Sequence, residues 1–148
     1  MSKPEFVYVT FIETTPEKVW AALTDAAIMQ RYWFGYSVCS DWTVGAPIKL
    51  GKDGRVTDDG EVLIFEPVTR LSYSWHAIYD PEMAKETASR VTFDLERKGK
   101  YVKLTVTHED FPPGSKVLPS ISTGWPMVLS SLKSWLETGR PMPEDFVN

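Results

Sequence analysis

The residues of this chain that could carry chemistry are few, and their spacing keeps them apart. There are two histidines, His76 and His108, and strand alternation sets them on opposite faces of their strands. No second histidine or acid stands at a ligand-pair spacing from either, and the single Cys39 adds no thiolate pair, so no metal site is expected. His108 is followed by Glu109 and Asp110, but neighbours in a strand point to opposite sides, so the three make an acid–base cluster only on paper. The plain reading of His108 is a histidine at the rim of the core with one hydrogen bond; the functional reading is a polar anchor inside a cavity. Cys39 in "SVCSDW" has no basic neighbour to activate it, and no serine sits in a G-x-S-x-G elbow. "GKDG" is a turn rather than a phosphate cradle. The carboxylate pairs Asp58–Asp59 and Glu82–Glu86 fall in polar segments and read as solvated. No catalytic constellation and no cofactor is expected.

What remains is aromatic. Six Trp, six Tyr and seven Phe make 13% of the chain. Any one of Trp33, Phe34, Trp75, Phe93, Trp125 and Trp135 is ordinary core; together they exceed what one helix packed on a sheet requires. A strongly curved sheet around one helix leaves a gap, and aromatic-lined gaps take apolar ligands.

The elements that must position these rings follow from local pattern. "EFVYVTFIET" (5–14) reads as a strand. In "TPEKVWAALTD", Thr15 suits an N-cap and Pro16 the first helical position, with Val19, Trp20 and Leu23 at helical spacing. "AAIMQRYWFG" reads as a second short helix ending at Gly35. Strands are expected near 36–40, 46–51, 60–67, 70–78, 88–97 and 101–109, with "GKDGRVTDDG" (51–60) as a polar loop. Short links between consecutive strands imply an antiparallel meander. Leu71, Tyr73 and Trp75 share one face against Ser72, Ser74 and His76; Val102, Leu104, Val106 and His108 share another.

The last element is a helix. In "GWPMVLSSLKSWLETGRP", Trp125, Val128, Leu129, Leu132, Trp135 and Leu136 fall in a stripe of roughly 120°. Ser130, Ser131, Lys133, Ser134, Glu137 and Thr138 take the other side, and Gly139 with Pro141 ends the helix. Pro126 leaves two alternatives: a start near Thr123 with the proline in the first turn, or a longer helix from about Leu118. The apolar sheet face and the helix stripe answer each other, giving an α+β fold in which the sheet wraps the helix.

Bulk properties fit a single domain over residues 1–148. The chain buries roughly two-thirds of its unfolded surface, and 43% hydrophobic with 24% charged residues excludes disorder. A net charge of −4 without a basic run argues against a nucleic-acid partner. No apolar run approaches the roughly 20 residues of a membrane span, the start lacks a secretory pattern, and a lone cysteine suits a reducing compartment. A soluble cytoplasmic protein is expected.

In order and spacing, "ETTPEKVWAALTD", "RYWFG", "GEVLIFEPVTRLSYSW", "SRVTFDLER…YVKLTVTHEDF" and "GWPMVLSSLKSWLETG" resemble the segments of the activator-of-heat-shock-protein-90-ATPase homologue family, within the START-like (SRPBCC) superfamily. The resemblance runs over about residues 5 to 140. It implies a helix-grip fold: a curved antiparallel sheet of six or seven strands around a long C-terminal helix, with two short helices after the first strand. Relatives in that superfamily bind lipids, sterols, hormones, polyketides or other apolar molecules between sheet and helix; some are aromatase/cyclases or other enzymes, and one branch stimulates the heat-shock chaperone's ATPase. Carried over by position, that cavity is lined by Trp33, Phe34, Tyr73, Trp75, Phe93, Val106, His108, Trp125, Leu129 and Leu132. The expected partner is a small apolar molecule, with His108 and Tyr73 as its polar contacts; Leu132→Trp is then expected to fill the cavity. The alternatives are a protein-interaction or co-chaperone module, and an enzyme using His108 as acid or base. An oligomer fits the aromatic surface.

Overall fold

A computed structural model describes residues 3–143. β1 (Phe6–Ile12) alternates strictly: Phe6, Tyr8, Thr10 and Ile12 turn inward, whereas Val7, Val9 and Phe11 are about half exposed. The chain leaves it through α1 (Pro16–Thr24) and α2 (Ala26–Tyr32). The Thr15 hydroxyl accepts from the Lys18 N–H at 3.3 Å, and the Asp25 carboxylate accepts from Ala27 and Ile28 N–H, so each helix start satisfies its own orphan donors. These helices carry the chain to the far edge of the sheet. From there β2 (Ser37–Ser40), β3 (Pro47–Lys52), β4 (Arg55–Glu66), β5 (Arg70–Ala77), β6 (Ser89–Lys98) and β7 (Tyr101–Glu109) return as a meander. The result is one antiparallel sheet in the order β1-β7-β6-β5-β4-β3-β2.

The concave face is built by register. Tyr73, Val91, His108 and Phe6 form one row across four strands; Leu71, Phe93, Val106 and Tyr8 form the next. α3 (Val117–Thr138) lies over this face and ends at Gly139, whose left-handed backbone (φ 79°) stops it. The helix is the longer of the two alternatives and holds Pro126 in its interior. It begins on borrowed partners. The Ser115 hydroxyl accepts from the Val117 and Leu118 N–H groups and donates to Glu86, whose other oxygen accepts from the Lys116 N–H at 2.7 Å. Ser131 departs from the helical wheel: it is fully buried, because the chain after Gly139 folds back and the Met142 N–H donates to its hydroxyl. Among the described residues, no helix is long and apolar enough to cross a membrane.

The segment 51–60 is not a loop. β3 and β4 form a hairpin whose two turn residues, Asp53 (φ 53°) and Gly54 (φ 77°), both take the left-handed backbone of a type I′ turn. Strand therefore runs through Thr57, Asp58 and Asp59, and alternation resumes five residues earlier than the polar composition suggests. The sheet bends sharply here, with register shifts at Leu50/Gly51 and between Val62 and Ile64. At Gly60 β4 and β5 approach so closely that a Cβ would collide with the Ser74 carbonyl, whereas a Cβ at helical Gly124 would meet nothing within 4 Å. Two alanine substitutions should therefore act in opposite directions. Gly60→Ala is expected to lower the unfolding free energy by at least about 2 kcal/mol, and Gly124→Ala to raise it by about 0.5–1 kcal/mol. Urea unfolding of both checks this, and equal effects would contradict the close approach.

Candidate functional site

Under the first half of α3 the concave face is not filled. A cavity of about 330 Å³ is walled by Val117, Ser120, Ile121, Gly124, Trp125 and Val128 of the helix, a stripe at i, i+3, i+4, i+7, i+8 and i+11. The opposite wall comes from Trp75 and Ala77 of β5, Thr57 and Asp58 of β4 and Leu50 of β3. Trp33 and Tyr36, with Tyr79 and Met83 from the connection before β6, complete the lining. A broader depression between α1, α2 and β2 is open to solvent and shares none of this lining.

Three indoles shape the interior. Trp33 and Trp75 both tilt against Trp125, with ring centroids 5.5 and 5.6 Å away and interplanar angles of 55° and 60°. Burying an indole is worth about 4–6 kcal/mol from its 150–250 Å² of surface, several times the net ~1 kcal/mol of one hydrogen bond. Burial thus places the rings, and polar contacts orient them. The Trp125 Nε1–H donates to His108 Nδ1 at 3.1 Å. That makes Nδ1 the acceptor, so Nε2 carries the proton and donates to the Ser89 hydroxyl at 2.7 Å, which donates in turn to the Trp75 carbonyl at 3.2 Å. A closed relay of neutral bonds therefore ties the helix indole to the strand that bears the opposing one. Burial drops the His108 pKa to about 3.

Of the ten residues expected to line a cavity, Trp33, Trp75 and Trp125 stand in its wall. Tyr73, Phe93 and His108 form the layer behind: Tyr73 stacks on Trp75 at 6.4 Å, and Phe93 meets Trp125 edge-on at 5.8 Å. Val106 is the register partner of Phe93 and fully buried. Leu129 and Leu132 lie further along α3, where the stripe meets filled core, and Phe34 packs inward from the turn after α2. His108 has both ring nitrogens engaged, so it offers no free proton or lone pair to a ligand. His76 sits on the other face of β5, its Nε2 on the Ala84 carbonyl and its Nδ1 3.6 Å from Asp59.

The wall residue that composition hid is Asp58. Its reading as a solvated loop acid is overturned: it is 5% exposed, because strand alternation points it with Ala77 into the concave face. The signal was the Asp53-Gly54 pair, which marks a hairpin and restores the period through Asp58. Loss of hydration raises its pKa to about 6, against the pull of hydrogen bonds from the Thr57 and Trp75 side chains. Tyr36, Tyr79 and Met83 carry no periodic signal, since they come from connections between strands and helices.

Asp58 and His108 oppose each other in the pH dependence of folding. Asp58 titrates near 6 when folded against 3.8 ordinarily, so the folded state holds the extra proton and stability falls as pH rises through that window. His108 stays neutral down to about 3 against 6.5 ordinarily, so its contribution falls as pH drops from 6.5 to 3. Each slope is about 1.4 kcal/mol per pH unit, and the two cancel between about pH 4 and pH 6. Asp58→Asn removes one of them. The variant should match the parent at about pH 4 and exceed it by about 1–3 kcal/mol at about pH 7 in urea unfolding; an equal difference at both values would refute the buried-acid assignment.

Comparison with known proteins agrees with this architecture. Residues 13–137 match the family model described as Activator of Hsp90 ATPase homolog 1-like protein. No curated protein matches by sequence. Similar solved structures include a protein of Mesorhizobium loti, 30% identical over 90% of this chain and 96% of that one, with a TM-score of 0.75. The Aha1 dimer from Colwellia psychrerythraea is 25% identical over 92% and 98% of the two chains, at 0.74. An HSP90 activator from Plasmodium falciparum, 24% identical over 89% and 95%, shares the fold at 0.74. With its seven-stranded sheet gripping one long helix, the chain belongs to the Activator of Hsp90 ATPase homolog 1-like family.

Proposed function

We propose that this protein binds a small, largely apolar molecule in the cavity between the sheet and the first half of α3. The observation that carries this is the wall itself. Three tilted indoles, two further aromatic rings and a methionine line about 330 Å³ of space that is partly open to solvent, at the small end of the range for ligand sites. The relay through His108 and Ser89 fixes Trp125, whereas Tyr79 and Met83 lie on a connection clasped to the helix start by Glu86. Apolar burial supplies the affinity at roughly 25 cal/mol per Å², less the cost of association.

Gly124 is the place to block it. It lies in the wall with open space beyond its Cα, so Gly124→Trp should set an indole across the mouth without disturbing the core. Leu132→Trp would not serve: Leu132 is fully buried outside the wall, and an indole there overpacks the core. Binding of 1-naphthylmethanol, followed by quenching of the wall tryptophans, should weaken about tenfold or more in Gly124→Trp, with an unfolding midpoint no lower than that of the parent. Equal affinity in parent and variant would remove the cavity as the site.

A second reading, self-association, is favoured by one observation. β1 is an edge strand, and Val7, Val9 and Phe11 make a half-exposed apolar row on its convex side. The solved relative from Colwellia psychrerythraea is described as a dimer. A second copy of this chain is the occupant that fits such a row. Sedimentation at about 100 μM should then show a dimer that Val9→Lys dissociates; a monomer in the parent protein at that concentration would end this reading.

A further inference from the structure

We infer that the cavity selects an apolar molecule carrying a cationic nitrogen, held with its aromatic or alicyclic body among the indoles and its ammonium against the Asp58 carboxylate. This rests on the cavity reading above and adds the charge of the ligand to it.

Among the described residues, Asp58 is the one buried acid, and the cavity wall contains no Lys, Arg or His to neutralise it. The groups around it can be taken element by element. The Thr57 and Trp75 side chains hydrogen-bond Asp58; Asp59, next on β4, turns to the convex face near His76 of β5, and the two act on Asp58 more weakly and in opposite senses. β5 also brings the Tyr73 phenol, which the Asp58 charge helps keep protonated. Leu50 of β3 and Ala77 of β5 flank it in register. α3 presents only the Ser120 hydroxyl and apolar side chains, and the turn before β6 presents Tyr79 and Met83. The Tyr36 ring of this wall already holds a cation, with the Lys52 ammonium 5.7 Å from its centroid.

A carboxylate in this position is costly to ionise without a partner. Aromatic faces around a carboxylate form the environment that ammonium groups prefer to water, because each ring offers its negative face while the carboxylate supplies the full countercharge. A neutral apolar ligand would leave Asp58 as costly as before. A cation would satisfy it.

The experiment compares two probes of one shape: 1-naphthylmethylammonium, charged across the range used, and neutral 1-naphthylmethanol. Their affinities are measured by calorimetry at about pH 7.5 and about pH 5, on either side of the Asp58 pKa of about 6. The ammonium should bind about tenfold or more tightly than the alcohol at the higher pH. Its advantage should shrink about tenfold at the lower pH, as the carboxyl gains a proton, and vanish in Asp58→Asn at both. Should that variant fail to fold, the pH comparison on the parent protein decides alone. Equal affinity of the two probes at about pH 7.5 would overturn the charge selection and leave the cavity reading standing. Tighter binding of the alcohol at the lower pH would overturn it too, by making Asp58 a proton donor to neutral ligands. Binding of neither probe would overturn both.

Discussion

A single α-helix is about 10 Å across, narrower than the concave face of a seven-stranded sheet, and every other feature of this fold answers that mismatch. The sheet reduces it by bending, and it bends where β4 passes β5 too closely to carry a side chain at Gly60. The two short helices reduce it further at one end. Tyr32 of α2, fully buried with its hydroxyl on the Ala22 carbonyl, packs against Trp135 in the second half of α3. Nothing comparable is inserted beneath the first half, where the same apolar stripe faces aromatic rings across open space. One continuous stripe thus does two jobs, sealing core at one end and roofing a cavity at the other.

Much of this was legible in the residues. Strict alternation in β5 and β7 named the concave face, Thr15 and Gly139 marked helix ends, and five ordered segments matched a family. The cavity wall was legible in part: three indoles stand in it, while Tyr73 and Phe93 back it. Periodicity tells which side of an element faces inward, but not how deep the layer opposite lies. Leu132 and Ile121 share a face, and only the position of α2 makes one of them core and the other wall. Asp58 was misread for a different reason, since acidic composition outweighed a two-residue turn that would have restored its alternation.

The polar groups inside are arranged in two different ways. His108, Ser89 and Trp125 satisfy one another completely, so the relay can be buried at little cost and serves to fix an indole. Asp58 has the Thr57 and Trp75 hydrogen bonds and the weaker pull of His76, which together do not offset its lost hydration, and the folded state is less stable for it. A stability-driven sequence would not retain that acid. The histidine, read from sequence as a rim-of-core residue or a polar anchor, is held within the relay, and the aspartate, read as a solvated acid, faces the cavity.

The strand order has a consequence for how the protein is made. β1 precedes the other described elements in the chain, yet its one partner in the sheet is β7, with Phe6 opposite His108. At the usual pace of about 5–20 residues per second, β1 waits about 5–20 s for that partner to emerge from the ribosome. During that time it is an unpaired, apolar ribbon, and the row of Val7, Val9 and Phe11 stays half bare even afterwards. Such long-range pairing places the fold among slow-folding topologies. The cavity, roofed by α3, cannot form until that helix has been translated.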